Sequence, residues 1–368
     1  MKVPAWLNDP QWYHNRGNTT FRNESSTMGD FVGLDDLATG NPRVIAGMID
    51  IYGSWIDRFG IDGFRIDTAK HVNPEFWQAF VPAMLERARA RGIPNFHIFG
   101  EVFSEEVNPG YLARFTHVDR FPAVLDFAFQ TAVRGVVAEN RNPDLFERLF
   151  QGDAVYAGGE ATARQLPTFL GNHDMGRIGT FIRRANPEAR DAEMLARASL
   201  AHAMLLTMRG VPTIYYGDEQ GFVGDGNDQD ARETLFPSRV AIYNDNDLIG
   251  TDRTTAVANY NPDHPLYRTI ARLSAIRRAH PALTRGAQIL RNFSEGPGIV
   301  AIARIDPDTG REIVAVYNTA ATRQRGNVIV ARETTRFSAL DGPCPAAPRV
   351  SGSMAVDLPA FGWMICAG

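Results

Sequence analysis

The sequence predicts an α/β fold, a partial TIM-type β/α barrel followed by a small all-β C-terminal domain, and three observations carry that reading. Apolar runs that turn polar only at their C-terminal ends alternate with amphipathic helical segments between residues 41 and 285, the pattern of a parallel sheet wrapped by helices with its site on one rim. After Gly286 the period changes to short strands such as GIVAIARI and REIVAVYNT with turns between them. The length of 368 residues, with 44% hydrophobic and 22% charged residues, suits one large domain with an appendage and excludes fibrous or disordered classes.

The elements follow in order. Residues 1–40 carry scattered Asn, Gly, Thr and Ser with no sustained period and read as loop. Asn41 and Pro42 start a helix in which Val44, Ile45, Met48, Ile49, Tyr52, Trp55 and Ile56 recur at helical spacing until Gly60. The strand IDGFRID comes next. Asn73 and Pro74 repeat the device, with Phe76, Trp77, Phe80, Met84, Leu85 and Ala88 facing inward, before the strand FHIFGEV. Further strands are predicted in AVLDFAF (123–129), LPTFLGNHD (166–174) and VPTIYYGDE (211–219), with helices over 192–209 and 265–283.

Composition narrows the partners. A net charge of −4 argues against nucleic acid, whose binders carry a clustered basic excess. No run approaches the roughly 18 apolar residues of a membrane span, and MKVPAWLNDP lacks the apolar core of a signal peptide. The compartment stays open, an extracellular or periplasmic one following only if a segment precedes Met1. Lysine occurs only at Lys2 and Lys70. Cys344 and Cys366 match no metal spacing and are either two thiols or one disulfide.

Three strand ends carry acids. In GFRID, alternation puts Arg65 and Asp67 on one face and Phe64 and Ile66 on the other, and an adjacent cation keeps a carboxylate ionised and nucleophilic. Glu101 ends HIFGEVF among apolar neighbours, which suits a general acid. Asp174 ends LPTFLGNHD beside His173, a donor able to orient a sugar hydroxyl. Taken singly, an ion pair or a helix cap explains each. Together, three acids where stability asks for apolar residues point to glycoside hydrolysis, in which one carboxylate attacks and another serves as acid and then base.

GFRIDTAKH, FGEVF and FLGNHD resemble, in order, the signature segments on the fourth, fifth and seventh barrel strands of the α-amylase family, glycoside hydrolase family 13. GVPTIYYGDEQGF resembles its eighth-strand segment, and NDQDAR the substrate-binding loop after it. The resemblance spans about residues 30–285. It implies a retaining hydrolase of α-glucosidic bonds in starch-like or maltooligosaccharide substrates, with Asp67 as nucleophile, Glu101 as acid/base and Asp174 as transition-state stabiliser. Arg65 would orient Asp67 and His173 would bind the sugar at the cleavage point. Lys70 and His71 would contact the leaving side, Asp228 and Arg232 the non-reducing side, although spacing alone makes the last two a surface i,i+4 pair.

The resemblance also implies a structural Ca²⁺ held in part by the Asp36 carboxylate and the His71 carbonyl, oxygen ligands that suit this ion. It divides the chain into a remnant of an inserted loop domain (1–40), the C-terminal portion of the catalytic barrel (41–285) and a C-terminal β-sandwich domain (286–368). The three βα units with which the family pattern begins are missing before residue 30. The expectation is therefore a fragment whose first strands are encoded upstream or supplied by another chain. A transglycosylase or isomerase on the same site, and an inactive glucan-binding fragment, are the alternatives.

Overall fold

The computed structural model describes residues 1–227 and 229–368. Residues 1–40 contain only turns, isolated bridges, two short 3₁₀ helices, Ala5–Asn8 and Pro10–Trp12, and one α-helical turn, Ser25–Met28. The helix Pro42–Phe59 begins where the Asn41 side chain accepts from the Arg43 amide, has proline in its first turn, and stops at Gly60 in the left-handed region at φ 62°. Strand β1 (Gly63–Ile66) follows, then the helix Pro74–Ala90, strand β2 (His97–Gly100), the helix Pro109–His117 and strand β3 (Ala123–Val124). The three strands form one parallel sheet in the order β1-β2-β3, with Arg65 opposite Phe99 and Ile66 opposite Gly100.

Alternation in β1 works as predicted on its helix-facing side. Phe64 meets the rings of Tyr52, Phe80 and Phe96 at centroid distances of 5.9, 6.4 and 5.3 Å. Gly63 permits the pairing, because a Cβ there would lie 2.3 Å from the His97 carbonyl oxygen.

The later strands are much shorter than predicted. In AVLDFAF only β3 is extended; Asp126 accepts from the Phe129 amide and turns the remainder into the helix Phe127–Val133. LPTFLGNHD and VPTIYYGDE contribute only β4 (Pro167–Thr168) and β5 (Val211–Pro212), which pair in parallel. Each contains a proline, which removes a ladder donor, and so cannot extend as a regular strand through that residue. The helix predicted over 265–283 is two, Pro265–Ala279 and Pro281–Arg285, since His280 precedes a proline and is extended.

The C-terminal region is all β. Strands β6 (Ala287–Phe293), β7 (Ile299–Ile305), β8 (Glu312–Asn318), β9 (Gln324–Ile329), β10 (Ser338–Asp341), β11 (Ser353–Leu358) and β12 (Trp363–Ala367) make a five-stranded antiparallel sheet, β10-β12-β8-β7-β6, and a two-stranded one, β11-β9. Between them lies an apolar core that includes Val314, Val316, Val328, Met354, Val356 and Met364. Cys366 belongs to that core and is disulfide-bonded to Cys344, which settles the alternative left open by spacing.

The chain divides into two compact units, residues 1–104, 109–125 and 154–162 in the first, and 105–108, 126–153 and 163–368 in the second. The division falls inside the segment 41–285 and joins its later half to the β region. The physical reason is direct bonding within the second unit: the Tyr317 hydroxyl is 2.5 Å from Thr207 Oγ1, and buried Arg304 donates to the Thr207 and Gly286 carbonyls, each at 3.0 Å. Among the described residues no helix is long and apolar enough to cross a membrane.

Candidate active site

The first unit assembles Arg65, Asp67 and Glu101. Arg65, on β1, hydrogen-bonds Asp67 Oδ1 through Nη1 and reaches Glu101 Oε1 through Nη2 at 3.0 Å. The Asp67 side chain is 65% exposed and that of Glu101 only 10%, so one carboxylate is open to a ligand and the other is shielded. Glu101 sits at the end of β2, where its amide donates to the Ile66 carbonyl (2.8 Å) and its carbonyl accepts from the Ala69 amide (3.1 Å). Its surroundings are more polar than HIFGEVF suggests: Oε2 accepts from the Thr68 amide at 3.1 Å. That contact needs Thr68 in the left-handed region, at φ 47°. A β-branched residue there is strained by about 1–3 kcal/mol.

Lys70 donates to the Phe103 carbonyl at 3.1 Å, with its ammonium 5.3 Å from the Phe103 ring. Burial lowers its pKa, against the raising influence of Glu101. His71 Nδ1 lies 3.0 Å from both the hydroxyl and the carbonyl oxygen of Ser26, and its ring meets Phe21 and Phe31 edge-on. Burial also pushes the His71 imidazole below its ordinary pKa. Asp36 and His71 are engaged separately: Asp36 Oδ2 is 2.6 Å from His14 Nδ1. Among the described residues no three His, Cys, Asp or Glu side chains gather as a metal-binding group.

The second unit assembles His173, Asp174 and Arg232. Asn172 Oδ1 accepts from the Asp174 and Met175 amides, both at 2.9 Å, forming a tight turn. Asp174 Oδ1 lies 3.2 Å from His173 Nε2 and 3.3 Å from Arg232 Nη2, while Arg232 Nε donates to the His173 carbonyl at 3.4 Å. All three side chains are roughly half exposed. Asp228, expected beside Arg232, lies outside the described residues.

Beneath this turn is a residue that sequence reasoning passed over. Arg177, three positions after Asp174 and fully buried, donates through Nε to Glu233 (2.9 Å), through Nη1 to the Tyr216 carbonyl (2.6 Å) and Asp218 (3.2 Å), and through Nη2 to the Ala231 carbonyl (3.4 Å). The Tyr215 ring lies 4.2 Å from the guanidinium carbon. Burial opposes the charge, but Asp218 and Glu233 outweigh it and hold the pKa above the ordinary arginine value. Because Glu233 follows Arg232 directly, Arg177 ties the Asp174 turn to the segment that presents Arg232. The one available signal was a basic residue just after NHD in a sequence with acids at Asp218 and Glu233.

A family model described as the catalytic domain of alpha amylase matches residues 3–286. The chain belongs to the alpha-amylase family. It is 48% identical over 322 residues to an alpha-amylase of Streptomyces lividans, a match covering 88% of this chain and 35% of that protein. It is 32% identical over 289 residues to a cyclomaltodextrin glucanotransferase of Geobacillus stearothermophilus, covering 77% of this chain and 34% of that one. The chain thus spans about a third of the length of these relatives. Among solved structures, an Anoxybacillus alpha-amylase matches with TM-score 0.77 at 24% identity, covering 99% of this chain and 72% of that one. The alpha-amylase of Geobacillus thermoleovorans, solved with acarbose, matches with TM-score 0.77 at 22% identity, covering 99% and 73%. At these identities the structures speak for the fold alone, and with the family match they bear out the partial TIM-type β/α barrel with a C-terminal all-β domain that the sequence predicts.

Proposed function

We propose that this alpha-amylase family member acts as a retaining glycoside hydrolase on α-glucosidic bonds of starch-like chains or maltooligosaccharides. The observation that supports this most strongly is the single guanidinium of Arg65 shared by an exposed Asp67 and a shielded Glu101. One fork holding both carboxylates keeps them close, as double displacement requires with carboxyl groups about 5–5.5 Å apart.

In the first step Asp67 attacks the anomeric carbon, forming an ester bond, while the glycosidic bond breaks and Glu101 gives its proton to the departing oxygen. In the second, the Glu101 carboxylate takes a proton from water, the water oxygen attacks the anomeric carbon, and Asp67 leaves. Arg65 orients Asp67. Asp174, with His173 and Arg232 on its Oδ1, is assigned to the sugar hydroxyls and the positive charge of the transition state. Lys70 and His71 are assigned to the leaving side. Water rather than a sugar hydroxyl as acceptor is favoured by the higher identity to the Streptomyces lividans amylase than to the glucanotransferase.

The test is the anomeric form of the first product. Proton NMR during maltooligosaccharide cleavage should show the α-anomer before mutarotation, and initial β-product would overturn the mechanism.

A further inference from the structure

Three arginines are buried together in the second unit, at the end of the helix Asp191–Thr207. Arg209, Arg277 and Arg304 are 1%, 8% and 0% exposed. Arg209 is matched by acids: its Nη1 hydrogen-bonds Asp126, and its Nε and Nη2 donate to Asp153 at 2.9 and 2.6 Å. The other two donate to carbonyls alone. Arg277 reaches those of Leu206, Met208 and Gly210 at 3.0, 3.2 and 2.6 Å, and Arg304 uses Nη1 and Nη2 for those of Thr207 and Gly286.

The end of a helix stabilises a cation but carries only about half an elementary charge. Among the described residues, three guanidinium groups therefore share two carboxylates, and a buried charge without a counter-charge is strongly unfavourable. Burial, then Arg277, lowers the Arg304 pKa to about 9, with Arg209 and Arg164 acting in the same direction. Tyr317 supplies no negative charge. Its hydroxyl is 2.5 Å from Thr207 Oγ1, and burial raises its pKa.

Two N–H donors at this place have no acceptor: Arg304 Nε and Gln288 Nε2 are both buried without a hydrogen-bond partner. Gln288 on β6 is the register partner of Arg304 on β7, which puts the two side chains on one face of the antiparallel pair, with Cβ atoms about 4.5–5.5 Å apart. Neither can turn away. Gln288 Oε1 accepts from the Arg209 amide at 2.8 Å, which fixes the oxygen end of that side chain, and the Arg304 fork is held at both Nη atoms. Buried donors are almost always paired. Two that are not, beside an excess of positive charge, call for an acceptor that is negative.

We propose that Arg304 Nε and Gln288 Nε2 bind a small inorganic anion of chloride size, which supplies the missing counter-charge and ties β6 and β7 to the end of the helix Asp191–Thr207. The site uses none of the residues assigned to catalysis. The test is the thermal midpoint of the full chain at fixed ionic strength, with sodium gluconate replaced stepwise by sodium chloride or sodium bromide, for the parent and for Gln288→Glu. That variant keeps an oxygen for the Arg209 amide and places a carboxylate where the anion would lie. The expected result is a saturable rise of at least about 3 °C in the parent with either halide. In Gln288→Glu the midpoint in gluconate alone should already exceed the parent's, and the halide response should fall at least about threefold. Crystals of the parent grown in bromide should show an anomalous peak within hydrogen-bonding reach of both donors, a readout that does not depend on the variant folding. Equal parent midpoints in all three salts would mean that water meets the two donors, and overturn the proposal. A halide response undiminished in Gln288→Glu, or bromide bound only at other residues, would place the ion elsewhere and overturn it as well.

Discussion

The Arg65–Asp67–Glu101 group and the His173–Asp174–Arg232 group use the same ingredients, carboxylates and guanidinium groups, yet they are supported differently. In the first, the arginine that touches the acids stands on β1 itself, and the Thr68 and Glu101 amides complete the support from neighbouring backbone. In the second, Arg232 touches the acid but is roughly half exposed, and the residue that holds the turn is the fully buried Arg177 beneath it. A regular strand of four residues can carry a charged group directly. A strand of two, such as β4, leaves its acid on a turn that needs a cation below.

That comparison can be broken from either side. Glu101→Gln keeps the shape of the first group and removes its exchangeable proton; maltooligosaccharide cleavage should fall by a factor on the order of 10² to 10⁴ with a nearly unchanged melting midpoint. Unaltered turnover would take Glu101 out of the chemistry. Arg177→Met should do the opposite, acting first on stability. It strands Asp218 and Glu233 as buried charges, and breaking such a network costs about 3–5 kcal/mol, read as a lower denaturant midpoint. A loss below about 1 kcal/mol would mean that the second group does not depend on its buried cation.

The smallest expected effect sharpens the contrast through pH. His264 caps the helix Pro265–Ala279 by accepting from the Leu266 amide on Nδ1, and its Nε2 faces the Ile249 carbonyl at 3.0 Å. Burial lowers its pKa from the ordinary 6.5, against the raising influence of the Ile249 carbonyl and of Asp191. The unfolded chain therefore binds this proton first. The stability contributed by the neutral ring is complete above pH 6.5 and is lost as pH falls through the lower folded value. His264→Asn, which keeps a cap acceptor but cannot titrate, should flatten the midpoint between pH 7 and 5 relative to the parent, at a cost of about 1 kcal/mol at neutral pH. An equally steep variant would assign the acid response elsewhere.

Much of this was legible in the sequence, and what was not has physical causes. The alternation in GFRID made legible both the helix-facing Phe64 and the pairing of Arg65 with Asp67, because each depends on residues two apart. Strand lengths after β3 were not legible from apolar content: Asp126 competes for the backbone as a helix cap, and Pro167 and Pro212 remove donors. The break at His280–Pro281 was written in the sequence and was overridden by helical spacing on both sides. Arg177 was hidden because its partners, Tyr216, Asp218, Ala231 and Glu233, are 39 or more positions away. The pairing of Asp36 with His14, 22 positions earlier, was hidden for the same reason, since no periodicity links two loop residues.

The central claim is that Asp67 forms a covalent bond to the sugar, and the most direct measurement is the mass of the chain after exposure to an activated fluorinated α-glucosyl substrate that slows breakdown of the intermediate. Digestion and tandem mass spectrometry should place one added glycosyl group on Asp67, with none on an Asp67→Asn chain. A glycosyl group on a different carboxylate, or turnover of the reagent in which the Asp67→Asn chain is as fast as the parent, would contradict the account.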